Sequence, residues 1–231
     1  MLITTPKTRR KNKPKNTPAD VIAELSVDNL IFGLNDNKLK VLLIKHGEGL
    51  SEGHWGLPGG WVKYSESLED AAARILFELS GINNVFLEQL QTFSGVNRYP
   101  TRRVISAAYY VLIRPDKHDL VAGDVTLDAT WFDIKKLPKL IFDHKEIVNS
   151  GIKFLKHKIR HEPIGFNLLP KKFTLLELQE LYEAILDVTL DKPNFRRKMT
   201  KMDLLLACNE KKVGGAHRAA NLYRFNIKNY N

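Results

Sequence analysis

One cysteine, Cys208, occurs in 231 residues. A lone thiol closes no internal disulfide, and its scarcity fits a reducing compartment. With seven scattered histidines it also builds no zinc cluster, and no metal site is expected. No run reaches the roughly eighteen apolar residues that span a bilayer. The basic N-terminus lacks the apolar segment that would make it a signal peptide. The expected setting is the cytoplasm, without a membrane partner. Acids are missing from residues 1–19, which carry six Lys or Arg, and residues 190–231 hold ten Lys or Arg against three acids. Those ends carry +6 and +7 of a total of +10, so the stretch between them is at −3. Positive charge confined to the ends points to a polyanion held there rather than by the middle.

The hydrophobic fraction of 43% is ordinary for a folded chain. Residues 1–19, rich in Pro, Lys and Asn, have little to bury and read as a disordered basic tail. Folded sequence is expected from residue 20. Val21–Gly33 and Lys38–Ile44 read as strands around the turn-forming Asn35-Asp36-Asn37. Lys45–Trp55 is a glycine-bearing loop. A helix follows the Gly59-Gly60 turn, capped by Ser65 or Ser67, with Leu68, Ala72, Ile75, Leu76 and Leu79 at helical spacing and Gly81 as its stop. Thr101–Ile113 and Ala129–Ile134 are further strands, and Asp143–Lys156 a second helix. Residues 159–169 carry Pro163 and Gly165 and read as a linker.

The spacing from Gly59 to Ile82 resembles the Nudix box, G-x5-E-x7-R-E-U-x-E-E-x-G-U, where U is a bulky aliphatic. Starting at Gly60, the frame is met by Glu66, Arg74, Leu76, Glu78, Gly81 and Ile82. Ile75 and Leu79 stand where the box has glutamate. Mg²⁺ needs several oxygen ligands, and carboxylates at 75, 78 and 79 would converge on one helix face. Glu78 alone remains of that trio and reads instead as an i, i+4 partner of Arg74. No catalytic residue and no cofactor are therefore expected, and the domain at 20–158 is read as impaired in hydrolysis.

Residues 170–231 follow another pattern. Thr174 and Glu177 form a capping box, and Leu178, Leu181, Tyr182 and Ile185 line one face of the helix they open. Asp191 caps a second helix, Pro193–Met202, with Pro193 in its first turn. Phe195 and Met199 are its buried side. Leu204–Cys208 and Asn221–Phe225 read as two strands around the basic loop Asn209–Ala220. Helix, turn, basic helix and hairpin form a winged helix-turn-helix pattern. Lys192, Asn194, Arg196, Arg197, Lys198 and Lys201 suit the major groove of double-stranded DNA, and Lys211, Lys212, His217 and Arg218 suit phosphates or the minor groove.

A Nudix-like domain joined to a winged helix resembles the Nudix-related transcriptional regulators. Besides the box, the resemblance is carried by Leu57–Val62, Leu87–Leu90, Arg103–Ala107, Phe142–His144 and Glu162–Pro170. It implies an α+β chain, an α/β/α sandwich followed by a winged helix-turn-helix domain. It also implies a homodimer that binds an operator under control of a small effector. The eroded box, together with the run Glu162–Pro170, looks closer to the arabinose-responsive branch, which makes a pentose the expected effector. The alternatives are an ADP-ribose-responsive regulator of NAD metabolism and an active Mg-dependent ADP-ribose pyrophosphohydrolase. Trp55, Trp61, Tyr64, Asn97, Arg98 and Tyr99 lie on loops that such a fold sets around its cleft, and they are the candidate effector ligands. His144, near the same cleft, reads as a structural histidine.

Overall fold

The two most apolar stretches run side by side in the computed structural model. They are β1 (Glu24–Asn35) and β6 (Val104–Ile113), paired in parallel from Glu24 with Val104 to Gly33 with Ile113. A parallel pair is covered on both faces, so neither strand shows the polar alternation of a half-wet sheet. The structure describes residues 24–161, 164–202, 204–212 and 219–226. The basic tail, His217 and Arg218 lie outside these.

β2 (Lys38–His46) returns along β1 after a turn in which Asp36 and Asn37 adopt φ of 51° and 56°, the left-handed pair that tight hairpins require. β3 (Trp55–Gly56), β4 (Gly59–Trp61), β5 (Glu88–Phe93) and β7 (Thr126–Asp133) complete a seven-stranded sheet of order β3-β2-β1-β6-β5, with β4 on β1 and β7 on β2. The strand β5 was not expected from sequence. Its residues EQLQTF are polar at four of six positions and only Phe93 is buried, so no apolar period marks it.

Two helices sandwich the sheet. Leu30, Phe32, Ala108, Tyr110 and Leu112 meet Ile147, Val148, Leu155 and Ile159 of α2 (His144–His161). The alternate residues Val27, Ala107 and Tyr109 meet Ala71, Ala72, Ile75 and Leu79 of α1 (Leu68–Ser80). Successive side chains on a strand point to opposite faces, so one sheet serves both helices. Each large aliphatic side chain buried this way contributes about 1.5–3 kcal/mol. Ser67, not Ser65, caps α1, in a box with Asp70, and Gly81 ends it at φ 75°.

The C-terminal module has β8 (Phe173–Thr174), α3 (Leu175–Leu186), α4 (Lys192–Lys201), β9 (Leu205–Lys212) and β10 (Ala220–Phe225). Its sheet has the order β8-β10-β9. Thr174 and Glu177 close the expected capping box, and the Asp191 side chain accepts from Asn194 N–H at 3.0 Å. Phe173 stacks on Phe225 at 4.6 Å, and Tyr182 meets Phe195 edge-on at 5.3 Å.

Two boundaries differ from the sequence reading. The helix α2 runs to His161, three residues into the expected linker, and Leu168 and Leu169 are buried in the core cluster that α2 shares with α3. Ile159, Leu168 and Leu169 of the expected linker are therefore held by packing, which the sequence pattern there does not reveal. Asn209–Lys212 continue β9 rather than opening a loop. Among the described residues no helix is long and apolar enough to cross a membrane.

Candidate effector cleft and nucleic-acid interface

A cleft of about 410 Å³ opens where β1, β4, the loop between β5 and β6, and the approach to α2 meet. Its volume is within the range of small-molecule sites. Asp28 of β1 lies on its floor, buried to 4% exposure between the buried polar residues Ser26 and Asn29. Ser106 Oγ–H donates to Asp28 Oδ2 at 2.6 Å, and Arg98 Nη2 donates to the same oxygen at 3.2 Å. Arg98 also forks onto Asp143, Nε to Oδ2 and Nη2 to Oδ1, both at 2.8 Å. Burial opposes charge on Arg98, but the bonds to Asp143 and the field of Asp28 outweigh it and raise its pKa. Nη1 makes no hydrogen bond among the described residues, so part of the guanidinium is available to a ligand.

One wall is aromatic. Trp61 meets Tyr99 at 5.9 Å, and Tyr99 meets Phe142 at 4.7 Å. Of the six residues expected to touch an effector, Trp61, Arg98 and Tyr99 line this cleft and the other three do not. Trp55 packs edge-on against Phe132 at 4.8 Å, beside the main core. Tyr64 is fully exposed on a separate shallow surface with Leu25 and Arg102, and Asn97 is exposed on the loop. The sequence reading missed Asp28, His46 and Phe142 as cleft residues, and Ser106 and Asp143 behind them. Asp28 beside Asn29 in a strand-like run, and the runs Arg103–Ala107 and Phe142–His144, were the available signals.

His144 is a structural histidine, as expected. Leu57 N–H donates to its Nδ1 at 2.9 Å, which leaves the proton on Nε2, 3.5 Å from Asp28 Oδ1. Burial depresses its pKa, against the pull of Asp28 and Asp143. His46, also in the cleft, is held down to about 4 by burial and by His144. Both bind protons less readily folded than unfolded, so their contribution is complete above about pH 6.5 and is lost as pH falls, in the case of His46 toward 4. Stability from urea unfolding should drop between pH 7 and pH 5, with His46 contributing up to about 1.4 kcal/mol per pH unit. The drop should be shallower in His46→Gln, and an equal slope would place its titration outside folding.

Gly59 closes the floor. A Cβ there would lie 2.2 Å from Asp28 Oδ1 and 3.1 Å from the Val27 carbonyl oxygen. Gly59→Ala must displace a carboxylate already held by Ser106 and Arg98. We expect a loss of about 1–3 kcal/mol in urea unfolding, as for overpacked sites; unchanged stability would mean the floor yields.

The helix of the Nudix-like box does not present a metal site. Ile75 and Leu79 are 2% and 8% exposed and pack on the sheet, so the two eroded positions supply core rather than oxygen. Arg74 takes both remaining acids: Nε and Nη2 reach Glu66 at 2.8 and 2.6 Å, and Nη1 reaches Glu78 at 2.9 Å. Arg74 holds the Glu66 carboxyl down to about 2. Among the described residues no three side chains are grouped to hold a metal. The donor set does not fit Mg²⁺.

On the other module, α4 carries Lys192, Arg196, Arg197, Lys198 and Lys201 with no acid, all exposed, while Phe195 and Met199 are buried. At 3.6 residues per turn Arg197 is directly opposite that buried pair, flanked by Asn194 and Lys201. Arg197 Nη2 donates to Asn194 Oδ1 at 2.6 Å, which ties the two groups together on the outer face. Lys211 is exposed, but Lys212 bonds Glu177 at 2.8 Å and so braces β9 against the start of α3.

Residues 26–151 match the NUDIX domain, and residues 165–225 match the NrtR DNA-binding winged helix domain. The chain belongs to the Nudix-related transcriptional regulators. This regulator is 31% identical over 210 residues, 89% of its length and 83% of the relative's, to the ADPR responsive transcriptional repressor NtrR of Acinetobacter baylyi. Shewanella oneidensis NrtR complexed with a 27mer DNA superimposes with a TM-score of 0.74 at 29% identity, over 89% of this chain and 95% of that one. The NUDIX domain of the same Shewanella protein, complexed with ADP ribose, gives a TM-score of 0.55 at 28% identity, over 61% of this chain and 94% of that one.

Proposed function

We propose that this regulator is an ADP-ribose-responsive, DNA-binding transcriptional repressor, acting as a homodimer, whose Nudix domain holds the effector without cleaving it. The observation that carries the reading is the aromatic wall of Trp61, Tyr99 and Phe142 beside the partly unengaged guanidinium of Arg98. An adenine ring needs an aromatic face, and a pyrophosphate needs a directional cation. Arg98 offers that cation without a metal. Erosion of the box therefore does not require a neutral sugar, which was the ground for expecting a pentose, and the named relatives support ADP-ribose instead. The basic outer face of α4 is the DNA-reading surface, and two copies related by a two-fold axis would meet the two halves of an operator.

Calorimetric titration with ADP-ribose and with arabinose, followed by analysis of the mixture after incubation with Mg²⁺, tests this. ADP-ribose should bind, arabinose should not, and ADP-ribose should be recovered intact. Tighter binding of arabinose would sink the effector assignment. Steady release of AMP would sink the sensor reading in favour of a hydrolase.

A further inference from the structure

The route from the cleft to the DNA-binding module is visible in how α2 begins. Asp143 immediately precedes this helix, and its carbonyl accepts from Glu146 N–H at 2.8 Å and from Ile147 N–H at 3.2 Å. Its carboxylate does not cap the helix. Both oxygens go to Arg98, and the three side chains Arg98, Asp28 and Asp143 are 5%, 6% and 16% exposed. The neighbouring residues repeat the link, because Tyr99 stacks on Phe142. Phe142 sits at φ 45°, left-handed backbone that costs a non-glycine residue about 1–2 kcal/mol. Such a conformation persists only where its surroundings hold it. Two consecutive residues of the β5–β6 loop thus fasten two consecutive residues ahead of α2.

The far half of α2 is joined to the reader. Leu155 and Ile159 share one core cluster with Leu178, Leu181 and Ile185 of α3. Eighteen helical residues make a rod of about 27 Å, and close-packed elements shift as bodies rather than deform.

Charge makes this fastening incompatible with an anionic ligand. One guanidinium faces two carboxylates, and His144 is neutral, so the buried cluster is net negative. A pyrophosphate drawn to Arg98 meets Asp143 as a rival for the same fork. We infer that Asp143 is a positioning residue of an effector-operated latch: the pyrophosphate takes Arg98 from Asp143, frees Phe142 and Asp143, and lets α2 carry α3 and α4 to a new setting. The inference rests on the ADP-ribose reading and adds its means of transmission.

Asp143→Asn and Asp143→Ser remove the charge but keep residues that cap helices well, so loss of the α2 start does not explain their behaviour. Affinity for a duplex selected from a random-sequence library is measured for both variants and the parent, with and without saturating ADP-ribose. Without effector, the variants should already show the parent's effector-saturated affinity, within about threefold. ADP-ribose should change it no further. The variants should also bind ADP-ribose more tightly than the parent, because no fraction of them is held in the latched state, and by linkage that affinity should no longer depend on DNA. Variants that keep the parent's effector-free DNA affinity overturn the latch and leave the ADP-ribose reading standing. A parent whose DNA affinity ignores ADP-ribose overturns both. Thermal melting shows which variant is folded, and either one suffices.

Discussion

Alanine at both Arg196 and Arg197 is expected to remove sequence-preferring DNA binding altogether. These residues lie on the exposed, acid-free side of α4, and a bidentate arginine–guanine contact discriminates by about 1–3 kcal/mol. Losing two such contacts would weaken operator affinity by roughly a hundredfold or more, and losing two phosphate contacts would act differently. Phosphate contacts lower affinity on every sequence alike and reduce the salt slope by about one each. Fluorescence anisotropy against the selected duplex and a scrambled one, across a salt series, separates the cases. Stability should not change, since the core of α4 is Phe195 and Met199. Binding that survives the double substitution would move the reading surface off α4.

The second large effect is on stability. Arg98→Ala leaves Asp28 and Asp143 buried with their shared cation gone. Removing one member of a buried charge network typically costs about 3–5 kcal/mol, mostly for the charges left behind. Urea unfolding at pH 7 should show a loss of that order. Adding Asp28→Asn and Asp143→Asn to Arg98→Ala should recover a large part of it, because amides are cheaper to bury than uncompensated carboxylates. A loss below about 0.5 kcal/mol in the single variant is what an exposed pair would give, and it would mean that water reaches the cluster.

These two predictions come from opposite ends of what a sequence discloses. The helix α4 was legible because its signals are local. Asp191, Pro193, the acid-free run to Lys201 and the apolar pair Phe195 and Met199 all fall within eleven positions, and caps and periodicity act over such distances. The capping box at Thr174 was readable for the same reason, while at α1 Ser67 was one of two candidate caps. The buried cluster was not. Asp28, Arg98, Ser106 and Asp143 come from four segments, and only the parallel pairing of β1 with β6 brings Ser106 beside Asp28. Trp55 shows the related error. Its place after a glycine-rich loop suggested a ligand face, yet its partner Phe132 lies on β7, beyond reach of any local pattern. The pentose expectation leaned on Ile75 and Leu79, which report on the metal, whereas Arg98 bears on the anion.

The account stands on coupling between the cleft and α4 in one chain. The most direct measurement is the affinity of the purified protein for its selected duplex as ADP-ribose is titrated, paired with its affinity for ADP-ribose as duplex is titrated. Coupling predicts that both shift by the same factor, in the range of about 5–150 typical of allosteric proteins. Two affinities that do not move when the other ligand saturates would contradict it.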